Sequence, residues 1–234
     1  MRRAVMCLAA TCLTALLSGC TPTLGHPPAA DPRPDAVLDF ATLYNHNCAA
    51  CHGRNGQNGP ATDLGNPEYQ ALIDDTALRN WIANGMPGTE MPAFAQSAGG
   101  MLTDAQVDAL VAGMRKAWRT QNTFAGVTPP AYAQTQAGDA HRGAETYQSR
   151  CSGCHKATGE EIASKTYLAL VGDQALRTII IAGRPDIGQP DWQHDAPAGT
   201  PATPLAAQEV DDIVSYLATL RNTGASAVPA QGGR

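Results

Sequence analysis

Two short stretches hold the residues most able to do chemistry: Cys48-Ala49-Ala50-Cys51-His52 and Cys151-Ser152-Gly153-Cys154-His155. Each reads C-x-x-C-H, the pattern by which a chain attaches a c-type haem. Two intervening residues let both thiols reach one edge of a porphyrin and add to its vinyl groups. The adjacent histidine then faces the metal as its proximal ligand. Redox dithiols and zinc knuckles share the C-x-x-C half of the pattern. The following histidine and the second copy favour haem. The expected cofactors are two covalently bound haem c groups, held by Cys48, Cys51 and His52 and by Cys151, Cys154 and His155.

The elements that must position these motifs repeat along the chain. The motifs are offset by 103 residues. Tyr69-Gln70-Ala71-Leu72-Ile73-Asp74-Asp75-Thr76-Ala77-Leu78-Arg79 returns as Tyr167-Leu168-Ala169-Leu170-Val171-Gly172-Asp173-Gln174-Ala175-Leu176-Arg177, at an offset of 98. The offset is again 103 where Val107 and Asp108 match Val210 and Asp211. Such self-similarity marks two related domains. Each reads as three main helices around a covalent haem, and no run reads as a strand. The first helix precedes the haem motif and carries Phe40 and Tyr44, or Gly143 and Tyr147. The second spans Asp75 to Asn84, stopped by Gly85, and Asp173 to Ala182, stopped by Gly183. The third places Val107, Leu110, Val111, Met114 and Trp118 on one face, behind a capping box of Thr103 and Gln106. Its counterpart uses Val210, Ile213, Val214, Leu217 and Leu220.

The flanks speak of export. Arg2 and Arg3 precede a mostly apolar run over residues 4–17, too short to span a bilayer but of signal-peptide form. It ends in Leu17-Ser18-Gly19-Cys20, which resembles a bacterial lipobox. That resemblance implies cleavage before Cys20 and its lipidation, on the periplasmic face of a membrane or the cell exterior. Of seven cysteines, Cys7 and Cys12 leave with the signal, Cys20 takes the lipid and four serve the haem motifs. None remains for a disulfide, though the compartment permits one. The expected layout is a signal peptide over 1–19, a lipidated tether over 20–34, domain 1 over 35–119 and a linker over 120–137 stiffened by Pro129-Pro130. Domain 2 follows over 138–222, and a disordered tail over 223–234. The mature chain has 14 basic and 21 acidic residues, a net charge of −7. Nucleic acid is therefore excluded as a partner; redox proteins at the membrane, and the bilayer itself, are expected. Few aromatics leave each domain a thin core that a porphyrin would complete.

Both repeats resemble class I cytochrome c domains, an all-α family. In that family the first and last helices cross closely, a glycine on one meeting an aromatic on the other. Gly143 and Tyr216 fit this. Domain 1 has Phe40 and Gly113 instead, and the expectation is a reversed pair of conserved total volume. The loop Asn84-Gly85-Met86-Pro87-Gly88-Thr89-Glu90-Met91-Pro92-Ala93-Phe94 resembles the family's distal loop. The resemblance assigns Met91 as sixth ligand, with Met86 as competitor and Phe94 at the porphyrin edge; a thioether raises the potential. In domain 2 Gln189 stands in the place of Met91, and Trp192 in that of Phe94. Every methionine lies at or before Met114, so the second iron takes Gln189, directly or through water, or His194, or stays open. Arg79 and Arg177 are candidates to pair haem propionates, as is Arg54, or they lie on solvated faces. His26, His46 and His141 belong to no ligand cluster.

These residues imply a membrane-anchored dihaem cytochrome c, not an enzyme, passing single electrons in a respiratory or related chain. The second haem, lacking the thioether, has the lower potential and receives the electron. Service as a subunit of a larger oxidoreductase is one variant. The alternative is an open second site that binds or reduces a small molecule, with Gln189 and His194 as distal donors.

Overall fold

The structure is a computed structural model and describes residues 32–155, 162, 164–194, 201 and 203–222. The signal, Cys20, most of the tether and the tail lie outside the described residues. The described residues from Pro34 to Asn222 belong to one compact unit. Within this unit, the described residues form helices and turns with two isolated backbone bridges and no strand. None of these helices is long and apolar enough to cross a membrane.

Domain 1 contains α1 (Phe40–Asn47), α2 (Ala49–His52), α3 (Pro67–Leu72), α4 (Asp75–Asn84) and α5 (Asp104–Trp118). Domain 2 contains α6 (Ala140–Arg150), α7 (Lys165–Leu170), α8 (Asp173–Ala182) and α9 (Ala207–Asn222). The second helices begin and end where the sequence places them, because Gly85 and Gly183 take φ of 71° and 69° at their C-termini. The capping box of α5 is formed: the Thr103 hydroxyl accepts from the Gln106 N–H, and the Gln106 side chain accepts from the Thr103 N–H. The short α3 and α7 were not among the helices expected from the sequence. Six residues carry too little periodicity, and their caps, Asn66 and Ser164, define them instead.

The last helix organises each core. Val107, Leu110 and Met114 of α5 are buried with Leu43, Tyr44, Leu78 and Ile82. Val210, Ile213, Val214 and Leu217 of α9 are buried with Tyr147, Leu168, Leu176 and Trp192. Each such side chain contributes about 1.5–3 kcal/mol by leaving water. The crossing of α1 and α5 is the reversed pair: a Cβ on Gly113 would lie 2.2 Å from Phe40 Cγ. Phe40, Tyr44 and Trp118 pack there in tilted and edge-to-face pairs, with centroids 5.1 to 5.6 Å apart. In domain 2 a Cβ on Gly143 would lie 1.9 Å from the Asp212 carbonyl oxygen, so there the helix backbones themselves meet. Tyr216 packs on Tyr147 beside this contact, at 5.4 Å.

An arginine late in each last helix ties down the short helix. Arg115 donates to the carbonyls of Gln70 and Ile73 and pairs with Asp75. Arg221 donates to those of Leu168 and Val171 and pairs with Asp173. The domains are also joined to each other. The Asn66 amide, buried, donates to the Ala182 carbonyl at 2.7 Å, and α3 packs on α8. Ala182 belongs to the first core, while Leu72 packs against the second.

Candidate haem-binding sites

In domain 1 the attachment motif is one tight turn. Cys48 ends α1 and opens α2; the N–H groups of Cys51 and His52 both bond to its carbonyl, at 3.2 and 3.0 Å. Cys48 is buried, which pushes its thiol pKa up to about 12, and Cys51 is exposed. Gly53, with φ of 75°, turns the chain away from α2, and the Tyr44 hydroxyl anchors its carbonyl at 2.9 Å. A Cβ at Gly53 would lie 1.7 Å from the Gln57 carbonyl oxygen, so only glycine fits this reversal.

His52 Nδ1 lies 2.8 Å from the Thr62 carbonyl oxygen. That contact fixes the proton on Nδ1 and leaves Nε2 as the metal-binding nitrogen. Burial holds the imidazole below its ordinary pKa, and the charge of Arg184 adds to this, favouring the neutral form that binds iron.

A cavity of about 390 Å³ opens beside the turn. Its walls include Cys48, Cys51, His52, Leu78, Met91 and Phe94. Met86 and Met114 also reach it. The distal loop is self-braced: the Met86 N–H donates to the Met91 carbonyl at 3.1 Å, and Thr89 Oγ1 donates to the Met86 carbonyl at 2.8 Å. Its backbone passes so close to Gly85 that a Cβ would lie 2.7 Å from the Met91 carbonyl oxygen. Two thiols, an imidazole with its second nitrogen already satisfied, and a thioether thus share a largely apolar cavity of ligand-binding size. The donor set fits a covalent haem with two axial side chains.

Part of that cavity is unexpected. Tyr167, Leu170, Val171, Ala175, Thr178 and Ile179 of domain 2 line it, as does Tyr132 of the linker. The Trp81 indole donates to the Tyr132 hydroxyl at 2.7 Å, and Gln174 and Arg177 donate to the Tyr132 carbonyl. The readable signal is the run Thr178-Ile179-Ile180-Ile181-Ala182. This C-terminal half of α8 is apolar around its circumference and almost wholly buried, and it serves both domains.

Domain 2 repeats the attachment turn. The N–H groups of Cys154 and His155 bond to the Cys151 carbonyl at 3.2 and 2.8 Å, and the Tyr147 hydroxyl donates to the His155 carbonyl. His155 Nδ1 is buried without a hydrogen-bond partner among the described residues. Residues 156–161, which follow it, are outside the description. The turn and its histidine fit the same group as in domain 1.

The distal loops superpose in their bonding. Gly183 meets the backbone of Gln189, Pro190 and Asp191 as Gly85 meets that of Met91, Pro92 and Ala93. Gln189 therefore stands structurally where Met91 stands. Its side-chain amide donates to the Ile179 carbonyl at 3.3 Å. Trp192 is buried in the second core, and its carbonyl accepts from the Leu205 N–H just as that of Phe94 accepts from Leu102. His194 is 70% exposed, with Nδ1 2.7 Å from Asp191. That carboxylate holds the imidazole above its ordinary pKa.

Neither repeated arginine lines the cavity around Cys48. Arg79 pairs with Asp104 and Asp108 on α5. Arg177 is buried against Asp211 on α9, the counterpart of Asp108. Both guanidiniums thus join the second helix to the third within their own domain. Arg184 was not among the residues the sequence singled out. It stands where Met86 stands, and it is buried.

Residues 35–112 match the family model described as "Cytochrome C oxidase, cbb3-type, subunit III", and residues 140–221 match that described as "Cytochrome c". Among curated proteins none matches the chain. The chain belongs to the cytochrome c family as a tandem pair: it is a dihaem class I cytochrome c, all-α, with two covalently bound haem c groups. Its domains imply haem-based electron transfer.

Proposed function

We propose that the protein is a lipid-anchored carrier of single electrons, working at the outer face of a bacterial membrane in a respiratory or related chain. Each haem supplies one reversible electron at its iron. The protein residues decide how easily that electron is gained. Met91, a soft donor, favours the reduced state at the first site, while Gln189 leaves the second site without a thioether. The observation that carries this reading is the shared cavity of Cys48, Cys51, His52 and Met91. Both axial candidates at this site come from the chain, which supports the closed site of a carrier.

The match of residues 35–112 to a cbb3-type oxidase subunit model favours one refinement: service as a fixed subunit of a membrane oxidoreductase. The Cys20 lipid would hold it beside such partners and raise its effective concentration there. The comparisons give no support to a small-molecule reaction at the second site.

The test is carbon monoxide added to the reduced full-length protein. Unchanged spectra at both haems support the carrier. A rapid shift at one haem contradicts it and identifies an open site. For the anchor, mass spectrometry of the mature protein should find Cys20 as the N-terminal residue carrying acyl chains; an unacylated Cys20 overturns that part.

A further inference from the structure

Arg184 opens the distal loop of domain 2, and its backbone is locked to Gln189. The Arg184 N–H donates to the Gln189 carbonyl, and the Gln189 N–H donates to the Arg184 carbonyl, both at 3.0 Å. Its side chain, however, belongs to the other site. Nη1 donates to the Ala61 carbonyl at 2.9 Å and Nη2 to the Gly59 carbonyl at 3.0 Å. Nε and Nη2 also grip Asp186 in a two-point pair, each at 2.8 Å. Asp186 in turn accepts the Asn58 N–H at 2.8 Å. So one arginine–aspartate unit from domain 2 holds three successive features of domain 1.

Those features are the support of His52. The Ala61 N–H donates to the Cys51 carbonyl at 3.0 Å. A Cβ on Gly59 would lie 2.3 Å from that same carbonyl oxygen, so the segment rests directly on the attachment turn. The next residue, Thr62, supplies the carbonyl that binds His52 Nδ1. At Asn58, whose N–H Asp186 accepts, the backbone takes φ of 61°, unusual for a residue with a side chain.

We infer that Arg184 is a positioning residue for the first haem site, coupling the loop that carries Gln189 to the segment that orients His52. Such a partner behind an axial histidine sets ligand orientation and basicity, and a fixed charge beside the site shifts the electron affinity of the iron. In domain 1 the equivalent position is Met86, which carries no charge.

The experiment uses full-length protein with both haems attached, titrated spectroelectrochemically. Arg184→Gln removes a positive charge and strands Asp186; both effects stabilise ferric iron, so the first haem's midpoint should fall. Asp186→Asn leaves the Arg184 charge unbalanced, and the same midpoint should rise. Opposite displacements are the signature, because simple loosening would move both variants alike. Nuclear magnetic resonance of the oxidised protein gives a second readout. The shifted methyl signals of the first haem, assigned by contacts to Leu78 and Met114 in its cavity, report the His52 ring orientation and should change in Arg184→Gln. An unchanged midpoint and methyl pattern, or displacements of the same sign, overturn the inference. If Arg184→Gln does not accumulate, Arg184→Lys decides. It keeps the charge but loses the fork, so the methyl pattern should change while the midpoint stays near wild type. An unchanged pattern overturns the inference there too. Because every variant retains two haems, failure would leave the carrier reading intact.

Discussion

The crossing of α1 and α5 makes a prediction whose sign depends on one neighbour. In most helices, replacing glycine by alanine stabilises by about 1 kcal/mol, since the unfolded chain has less freedom to lose. Gly113 is in α5, yet a Cβ there would come within 2.2 Å of Phe40 Cγ and 2.6 Å of Phe40 Cβ. Those atoms are the root of the ring, and they cannot swing aside. Tyr44 and Trp118 hold the ring with centroids 5.6 Å away. Forcing an extra methyl into such packing costs about 1–3 kcal/mol, and the root contact argues for the upper half of that range. Gly113→Ala should therefore destabilise the protein by about 1–2 kcal/mol. In a Phe40→Ala background the obstruction is gone, and the same change should stabilise by about 1 kcal/mol. The coupling between the two positions is then about 2–3 kcal/mol. Thermal unfolding of the holoprotein, followed by circular dichroism in all four forms of the cycle, measures it. If Gly113→Ala stabilises in both backgrounds, or the coupling is below about 0.5 kcal/mol, the reversed-pair reasoning is refuted.

Other outcomes follow from the same geometry. Asp211→Ala strands the buried Arg177 guanidinium and should cost about 3–5 kcal/mol, whereas Asp108→Ala, which removes its exposed counterpart beside Arg79, should cost under about 1 kcal/mol; denaturant titration of each variant compares them. Burial and the neighbouring Asp191 push Glu68 up to about 7, with His194 opposing. The folded chain then holds a proton that the unfolded chain releases above its ordinary value of 4.5, so this group's contribution falls as pH rises from 4.5 to 7. Glu68→Gln should raise the melting temperature at pH 7 relative to wild type and lose that advantage below pH 4.5; an equal difference at both pH values would contradict the assignment. Met91→Ala should lower the first haem's midpoint by on the order of 0.1 V, while Met86→Ala should leave it in place, as redox titration of each will show.

Much of this was legible in the chain itself. The attachment turns needed only five residues each, because local backbone bonding to Cys48 and Cys151 sets their geometry. The bounds of α4 and α8 were legible because glycine punctuates both, and α5 because Thr103 and Gln106 mark its start. The equivalence of Met91 and Gln189 could be counted from Gly85 and Gly183. What the sequence hid is contact between distant segments. Asn66 reaches Ala182, and Arg184 reaches Gly59 and Ala61, across more than 100 residues. No periodicity encodes such pairs. Arg79 and Arg177 look alike in sequence, each a candidate for a propionate or a solvated face; the carboxylates that meet them are on the last helices, one pair exposed and one buried. Tyr132 lies in sequence within a plain linker; its role as a wall of the first cavity depends on Trp81 and α8 being brought together by the fold.

The account rests on two covalent haems made unequal by their ligands. The most direct test is a spectroelectrochemical titration of the full-length protein, with haem content fixed beforehand by mass. Two resolved one-electron steps, the higher lost from its place in Met91→Ala, are the expected result. A single step for both haems, or a mass showing fewer than two, would contradict it.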